Sequence, residues 1–229
     1  MPSFGQMVIA IDGPAGAGKS TVSRAVAREL GFTYLDTGAM YRCVALAADG
    51  AGAPAAEVAE RIEIEMGDRI VLDGRDVTEA IRTRAVSEAA SRVAADPGVR
   101  AALVAKQQAL MTTGDWVAEG RDIALVVAPD AQVKVFLTAD SAERARRRAA
   151  ELGADPETVR REQAMRDERD ATGARSVDAP APDAVPIDTT ALTLDEVVAQ
   201  VVTLAVEARV ADVAEGERHG RRSTGRRKR

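Results

Sequence analysis

The sequence is poor in the residues on which several common kinds of protein depend. It contains one cysteine, Cys43, in an apolar stretch, and one histidine, His219, in a basic segment, which excludes an internal disulfide and a His or Cys catalytic centre. Aromatic residues make up only 3% of the chain, which disfavours a stacking surface for single-stranded nucleic acid. No apolar run is long enough to span a membrane and no segment resembles a secretion signal, so the expected location is the cytoplasm.

The order of apolar segments predicts an α/β fold. The chain has 229 residues with 46% hydrophobic content, enough for one substantial core. Strand-like segments alternate with helix-like ones, a pattern typical of a parallel sheet flanked by helices. A helix is predicted from Leu194 to about Arg209, introduced by a capping box of Thr193 and Glu196. The predicted strands are 7–11, 33–35, 116–118, 133–137 and 184–187.

One segment interrupts this alternation. Short apolar runs at 62–66 and 70–72 are separated by a turn at Gly67-Asp68, and a turn at Asp73-Gly74 leads to a third strand that begins at Val77. We predict a small antiparallel sheet inserted into the parallel fold. A meandering surface loop is the alternative.

The charge of the chain is unevenly distributed. The formal net charge is −5, but the last twelve residues, Arg218 to Arg229, contain seven Lys or Arg and no acid. Because they have no apolar residue with which to pack, residues 218–229 are predicted to form a disordered tail after one domain at 1–217. Such a tail can bind nucleic acid by counterion release, but a solvated segment without a dedicated partner is favoured.

The most specific pattern is the sequence GPAGAGKS at Gly13–Ser20. It matches the phosphate-binding loop G-x-x-x-x-G-K-[S/T] in full and lies between a predicted strand and a predicted helix. Backbone N–H groups of such a loop surround a phosphate, and the helix N-terminus adds partial positive charge. Lys19 would reach the β- and γ-phosphates of a nucleotide, and Ser20 would offer an oxygen to Mg²⁺.

Arginine is abundant where a second phosphate would have to bind. Tyr41-Arg42 follows one predicted strand and Glu119–Asp122 ends another, at positions where open α/β sheets bind ligands. Arg166 and Asp170 lie one helical turn apart, a spacing suited to a phosphate and a ribose. A phosphate monoester needs no base to become nucleophilic, whereas its charge must be neutralised by Mg²⁺ and by Lys or Arg. These clusters favour a phosphate acceptor over a hydroxyl acceptor.

Six segments, taken in order and spacing, resemble the bacterial cytidylate (CMP) kinases, a family of P-loop nucleoside monophosphate kinases. They are IDGPAGAGKST at 11–21, LDTGAMYR at 35–42, IRT at 81–83, VAEGRDI at 117–123, PDAQVKVFLTA at 129–139 and RDERD at 166–170. Together they span nearly all of residues 7–208. The resemblance implies a parallel sheet flanked by helices, a β-containing insert in the monophosphate-binding region at about 59–91, and a short helical lid at about 147–175.

The resemblance also implies a role for each matching residue. Asp122 would accept a hydrogen bond from the cytosine amine and disfavour uracil. Catalytic roles fall to Lys19, Arg121, Arg166 and Arg175, and positions near Mg²⁺ to Ser20 and Glu119. The residues expected to bind the ATP phosphates are Gly13, Pro14, Ala15, Gly16, Ala17, Gly18, Lys19, Ser20 and Thr21. Those expected to bind CMP are Thr37, Tyr41, Arg42, Ser91, Arg100, Arg121, Asp122, Arg166 and Asp170.

The chain departs from the family pattern in three places. Ala124-Leu125 and Ala128 replace a usual Gly-Thr and Phe, and Arg175 replaces, through a longer loop, an arginine usually found three residues beyond Asp170. We expect a monomer that transfers the γ-phosphoryl group of ATP to CMP and dCMP with Mg²⁺, in pyrimidine nucleotide metabolism. The alternatives are a kinase for UMP or a hydroxyl acceptor, and a nucleotide-dependent switch or nucleic-acid-associated ATPase, which only the basic tail favours.

Overall fold

Five parallel strands form the central sheet of the computed structural model, which describes residues 6–172 and 180–224. The strands in chain order are β1 (Val8–Asp12), β2 (Thr33–Asp36), β3 (Ile64–Glu65), β4 (Val71–Leu72), β5 (Arg75–Asp76), β6 (Trp116–Glu119), β7 (Val133–Thr138) and β8 (Val185–Asp188). The central sheet has the order β2-β6-β1-β7-β8, with β1 in the middle. Its strands begin and end within one residue of the predicted bounds, and the predicted α/β fold is confirmed.

Helices cover both faces of this sheet. They are α1 (Lys19–Leu30), α2 (Thr37–Ala48), α3 (Ala55–Arg61), α4 (Arg84–Val93), α5 (Pro97–Leu110), α6 (Ser141–Leu152), α7 (Pro156–Thr172) and α8 (Leu194–Thr224), with a 3₁₀ turn at Ala80–Arg82 and a π-helical turn at Ile123–Val127. Successive side chains of a strand point to opposite faces, so β1 contributes to two apolar clusters. Ala10 packs into the cluster with Leu35 and Leu103, while Ile9 and Ile11 pack with α1 and α8. This double coverage explains why β1 is almost continuously apolar.

The predicted antiparallel insert is confirmed as a three-stranded sheet, which excludes a meandering surface loop. Strand β4 pairs with β3 and with β5, and Leu72 lies opposite Arg75. The third strand therefore begins at Arg75 and not at Val77. The reason is the turn between β4 and β5. Asp73 and Gly74 have φ values of 48° and 77°, as a two-residue hairpin turn requires, so strand pairing starts again immediately after Gly74.

Helix α8 is longer than the sequence pattern predicts. It continues beyond Arg209 to Thr224 and so includes residues 218–224 of the tail that was expected to be disordered; residues 225–229 lie outside the described residues. Arginine, alanine and glutamate are good helix formers and no proline interrupts the segment, which favours a helix here despite Gly216 and Gly220. The first half of α8 makes its core contacts, since Val197, Val201 and Ala205 are buried whereas Val210 is 64% exposed.

Gly13 is the point at which the chain leaves β1, and its substitution tests the steric basis of the fold. Its φ is 146°, and a Cβ added there would lie 2.1 Å from the carbonyl oxygen of Leu137 in β7. Gly31 is a matched control because its φ is also positive, at 71°, but an added Cβ would meet no atom within 4 Å. We expect Gly31→Ala to lower the free energy of unfolding by about 1–2 kcal/mol, the cost of a left-handed L-residue.

We expect Gly13→Ala to lower the free energy of unfolding by clearly more than Gly31→Ala does, because the backbone of β7 must also move. Urea unfolding of the two variants measures the difference. Equal losses in the two variants would contradict the steric account.

Candidate active site at the carboxyl ends of the strands

Three acidic residues, Asp12, Asp36 and Glu119, end the neighbouring strands β1, β2 and β6. Because the strands are parallel, their carboxyl ends share one edge of the sheet, the usual ligand edge of open α/β folds. Strand register places Glu119 between Ile11 of β1 and Asp36 of β2, and Asp12 is the last residue of β1. The phosphate loop begins at the next residue.

The phosphate loop leads directly into α1. Gly18 is the residue before the helix, with φ 90°, and within the described residues no side chain caps this end of the helix. The first N–H groups of α1 therefore remain available to the oxygens of a bound phosphate. The Lys19 ammonium donates to the Pro14 carbonyl at 2.8 Å, which keeps the lysine folded across the loop. Loop, helix end and lysine together have the geometry that an anion-binding site requires, and the binding of ATP phosphates by residues 13–21 stays a prediction.

Glu119 is the most strongly perturbed carboxylate of the site. It is 3% exposed and accepts hydrogen bonds from the hydroxyls of Tyr34 and Ser20. Burial, and next the nearby carboxylate of Asp36, raise the pKa of Glu119 from 4.5 to about 7, while Lys19 acts in the opposite direction. Ser20 and Glu119, the two residues predicted to lie near Mg²⁺, are thus in direct contact.

Asp12 is a residue of the site whose role the sequence did not reveal. Its two carboxylate oxygens accept from the backbone N–H groups of Ile123 and Ala124, each at 2.8 Å. Asp12 is 4% exposed, and burial raises its pKa from 3.8 to about 6 against the lowering effect of these hydrogen bonds. The carboxylate therefore ties the end of β1 to the start of the π-helical turn. The one available signal was an acidic residue that ends an apolar strand.

Arg42 is held in place by the carboxylate at the end of β2. Asp36 accepts from the Ala39 N–H at 2.8 Å, so it caps α2, and its second oxygen pairs with the Arg42 guanidinium at 2.8 Å. The Arg42 side chain keeps 23% of its surface exposed. Thr37 donates to the Glu119 carbonyl at 2.7 Å and so joins the ends of β2 and β6. These contacts place Thr37 and Arg42 at the predicted acceptor side.

A second ion pair joins Arg100 and Asp122. The two side chains are only 12% and 11% exposed, and Tyr41 also interacts electrostatically with Arg100. Among the described residues, the Arg100 Nη1 atom and the Ser91 hydroxyl are buried without a hydrogen-bond partner. An unsatisfied buried donor costs about 1–3 kcal/mol, so a polar ligand that supplied acceptors here would be favoured. Arg100 and Asp122, two of the residues predicted to bind CMP, are thus in direct contact, and Ser91, a third, contributes a buried unpartnered hydroxyl from α4.

Helix α6 contacts the phosphate loop directly. The Arg144 Nη1 atom donates to the Ala15 carbonyl at 2.9 Å. Arg166 and Asp170 lie one turn apart on α7, as predicted, and Arg121 follows β6 with Gly120 between them. Arg175 lies outside the described residues.

The donor groups present fit Mg²⁺ if most of its ligands come from a nucleotide. Among the residues that the structure describes, no group of three or more His, Cys, Asp or Glu side chains can hold a metal by itself. Mg²⁺ in phosphate-transfer sites usually takes one or two protein oxygens and completes its shell with phosphates and water. The hydroxyl of Ser20 beside the carboxylate of Glu119 provides such oxygens.

Cys43 is fully buried, and burial raises the pKa of its thiol to about 12, so the thiolate nucleophile is not available at neutral pH. No helix in the described part of the chain has the length and apolar character needed to cross a membrane.

The parallel sheet and the phosphate loop define a P-loop kinase fold. The chain is similar to the crystal structure of a gluconokinase from Sinorhizobium meliloti 1021, with a TM-score of 0.52 and 16% sequence identity. The similarity covers 91% of this chain and 96% of that one, and at this identity it shows the shared fold alone.

Sequence comparison narrows the class to one family. The cytidylate kinase family model matches residues 9–207. The cytidylate kinase of Pelotomaculum thermopropionicum is 48% identical over 211 residues, which cover 85% of this chain and 93% of that protein. The cytidylate kinase of Carboxydothermus hydrogenoformans is 48% identical over 216 residues, which cover 86% and 96%. The chain belongs to the cytidylate kinase family.

The raised pKa of Glu119 predicts a pH dependence of stability. The folded protein binds the Glu119 proton more tightly than the unfolded chain, so this group lowers the free energy of unfolding as pH rises from about 4.5 to about 7. We expect Glu119→Gln to remove this pH dependence. The free energy of unfolding of the variant minus that of wild type should therefore be larger at pH 8 than at pH 5. Urea unfolding at the two pH values measures the effect.

The control for this prediction is Glu143→Gln. Hydrogen bonds from Arg146 and Arg147 lower the pKa of Glu143 to about 2, outside the pH range compared. Its substitution should leave the difference between pH 5 and pH 8 as in wild type. A Glu119→Gln variant that keeps the wild-type difference would contradict the assignment.

Proposed function

We propose that the protein transfers the γ-phosphoryl group of ATP to the phosphate of CMP and dCMP, giving CDP or dCDP and ADP. Membership of the cytidylate kinase family over residues 9–207 supports the reaction. The observation that carries the choice of acceptor is the buried Arg100–Asp122 pair, in which the Arg100 Nη1 atom has no hydrogen-bond partner among the described residues.

Cytosine complements these groups chemically. Its exocyclic amine donates to the Asp122 carboxylate, while its ring nitrogen and carbonyl accept from Arg100 and Ser91. Uracil has a carbonyl in place of the amine, and that oxygen would face an anionic acceptor, which rejects UMP. Because CMP and dCMP share the same base edge, both satisfy this site.

The acceptor phosphate is bound by Arg42, Arg121 and Arg166, with Thr37 and Tyr41 beside them. Asp36 holds Arg42 before the substrate arrives, which reduces the ordering cost of the guanidinium on binding. A monoester with its second pKa near about 6 is already nucleophilic at neutral pH, so no side chain has to take a proton from it. The role of the arginines is to bring two polyanions together and neutralise the charge that spreads over the transferred group.

The ATP phosphates are bound by residues 13–21. Lys19 exchanges the Pro14 carbonyl for the β- and γ-phosphates, a short movement for a flexible side chain. Ser20 and Glu119 hold Mg²⁺, which supplies further charge neutralisation when it is bound. Catalysis rests on positioning and electrostatics, without a covalent intermediate on the enzyme.

Helix α7 and the last turn of α6 form the lid that the sequence predicts at about 147–175. Arg166 and Asp170 on α7, together with Arg175, reach the substrates when the lid closes, with Asp170 on the ribose hydroxyls. Closure excludes water and limits hydrolysis of ATP without an acceptor. The protein acts as a monomer in the cytoplasm, in pyrimidine nucleotide metabolism, and the insert at 59–91 forms the monophosphate-binding region.

ADP formation with a panel of acceptors tests this function, with wild type, Asp122→Asn and Asp212→Asn compared. Wild type is expected to be fast with CMP and dCMP and slow with UMP, AMP, shikimate or no acceptor. Asn keeps the shape of Asp122 but loses its charge, so we expect kcat/KM for CMP to fall by about tenfold or more, while the preference for CMP over UMP shrinks.

Asp212 is an exposed aspartate on α8, so Asp212→Asn should behave as wild type. Thermal unfolding of Asp122→Asn separates lost recognition from lost folding, because the change also weakens a buried ion pair. Equal ADP formation with every acceptor and with none would replace the kinase proposal by an ATPase or a switch.

Deletion of residues 218–229 tests whether the basic tail contributes to activity. The described core contacts of α8 end at Ala208, before the deleted segment, so the shortened chain should fold and keep the wild-type kcat and KM for CMP. The measurement is ADP formation at low and high salt, with and without added RNA. Loss of activity on deletion, or activity that requires RNA and declines with salt, would support a nucleic-acid-associated ATPase.

A further inference from the structure

Thr189 directly follows β8 and connects three parts of the molecule. It is 3% exposed, and its backbone N–H donates to the Thr138 carbonyl at the end of β7 at 2.8 Å. Its hydroxyl oxygen lies 3.2 Å from the Ala17 carbonyl in the phosphate loop and 3.0 Å from the Thr138 carbonyl. From α6, Arg147 donates to the same hydroxyl at 2.9 Å and to the Thr189 carbonyl at 2.7 Å.

The direction of these hydrogen bonds follows from the donors available. A hydroxyl has one hydrogen and accepts through its lone pairs. Arg147 has only donors, so it occupies a lone pair of Thr189, and the hydroxyl hydrogen must serve one of the two carbonyls. The Thr138 carbonyl already accepts a hydrogen bond from the Thr189 N–H. The Thr189 hydroxyl therefore contributes most when it donates to the Ala17 carbonyl. Glu143 accepts from Arg147 at 2.8 Å and so holds the guanidinium in this orientation.

The Ala17 carbonyl matters because of the peptide bond it belongs to. In a trans peptide the carbonyl and the following N–H point in opposite directions. A carbonyl of Ala17 that is drawn toward Thr189 therefore directs the N–H of Gly18 away from Thr189 and α6. Arg144 acts in the same way one step earlier, since its bond to the Ala15 carbonyl at 2.9 Å directs the N–H of Gly16 away from α6.

We propose that Thr189 is a positioning residue for the nucleotide: together with Arg147 it fixes the Ala17 peptide so that the Gly18 N–H is preset for an ATP phosphate. Thr189 touches no substrate atom and acts through the loop. The proposal rests on the proposed binding of ATP phosphates by residues 13–21. In this proposal α6 orients two carbonyls of the phosphate loop. Arg144 contacts the Ala15 carbonyl directly, and Arg147 acts on the Ala17 carbonyl through Thr189.

The test compares Thr189→Val with Thr189→Ser. Valine keeps the shape of threonine but removes the hydroxyl, whereas serine keeps the hydroxyl. We expect Thr189→Val to raise the Kd for ATP, measured by calorimetry without CMP, and the KM for ATP by about tenfold, or about 1.4 kcal/mol. The KM for CMP should stay within about twofold of wild type, and Thr189→Ser should restore most of the ATP affinity.

Two further variants serve as controls. Thr203→Val removes another threonine hydroxyl that donates to a backbone carbonyl, that of Ala199 in α8, and should leave ATP binding unchanged. Arg147→Lys keeps the charge but cannot reproduce the two-point contact with Thr189, so it should weaken ATP binding with the same selectivity as Thr189→Val. It supplies the test if Thr189→Val does not fold.

Several results would overturn the proposal. One is an unchanged ATP affinity in Thr189→Val; another is an equal rise of both KM values together with a lower melting temperature, which indicates a merely structural role. A Thr189→Ser variant as weak as Thr189→Val would also contradict it. Failure of wild type itself to bind ATP would instead refute the proposed function, so the two failures are distinguishable.

Discussion

The site depends on one close contact between two segments of backbone, the passage of Gly13 beside the carbonyl of Leu137. Because a glycine is present, the chain can leave β1 at a φ of 146° and turn at once into the phosphate loop. Strand β1 lies in the middle of the sheet, so the loop opens between the ends of β6 and β7. The acceptor-side groups from β2 and β6 then lie on one side of the loop, and β8 with Thr189 on the other. The two sides of the site are therefore arranged by the position of a single strand.

Electrostatics at this edge follow a consistent pattern in which carboxylates orient cationic side chains. Asp36 holds Arg42, Asp122 holds Arg100, and Glu143 holds Arg147. A guanidinium that is already oriented loses less conformational freedom when a phosphate or a base binds. Asp12 and Glu119 differ, because they are bonded to backbone N–H groups or hydroxyls and burial raises their pKa values to about 6 and about 7. The folded protein binds these two protons more tightly than the unfolded chain, so both groups lower the free energy of unfolding as pH rises from their usual pKa values to the raised ones.

The sequence predicted those parts of the molecule whose signals are local. A phosphate loop, apolar strands and the Asp73-Gly74 turn each determine their own backbone geometry, and all were confirmed. The third strand of the insert began earlier than expected because hairpin pairing resumes directly after the turn. Contacts between residues far apart in the sequence were not predicted. Asp12 accepts a hydrogen bond from Ile123, 111 residues later in the chain, and Thr189 contacts Ala17, 172 residues earlier. Such contacts depend on strand order and register, which no single segment encodes. The roles of Arg166 and Asp170 therefore remain predictions from their position on α7.

In the proposed reaction the acceptor is the phosphate of a cytosine nucleotide and not a hydroxyl group. The most direct measurement is ³¹P NMR of the enzyme with Mg²⁺ and ATP, in separate samples with CMP, with cytidine and with neither. We expect the β-phosphate signal of CDP in the CMP sample, with no CMP formed from cytidine and little inorganic phosphate in any sample. Phosphorylation of cytidine, or release of inorganic phosphate at the same rate in all three samples, would contradict it.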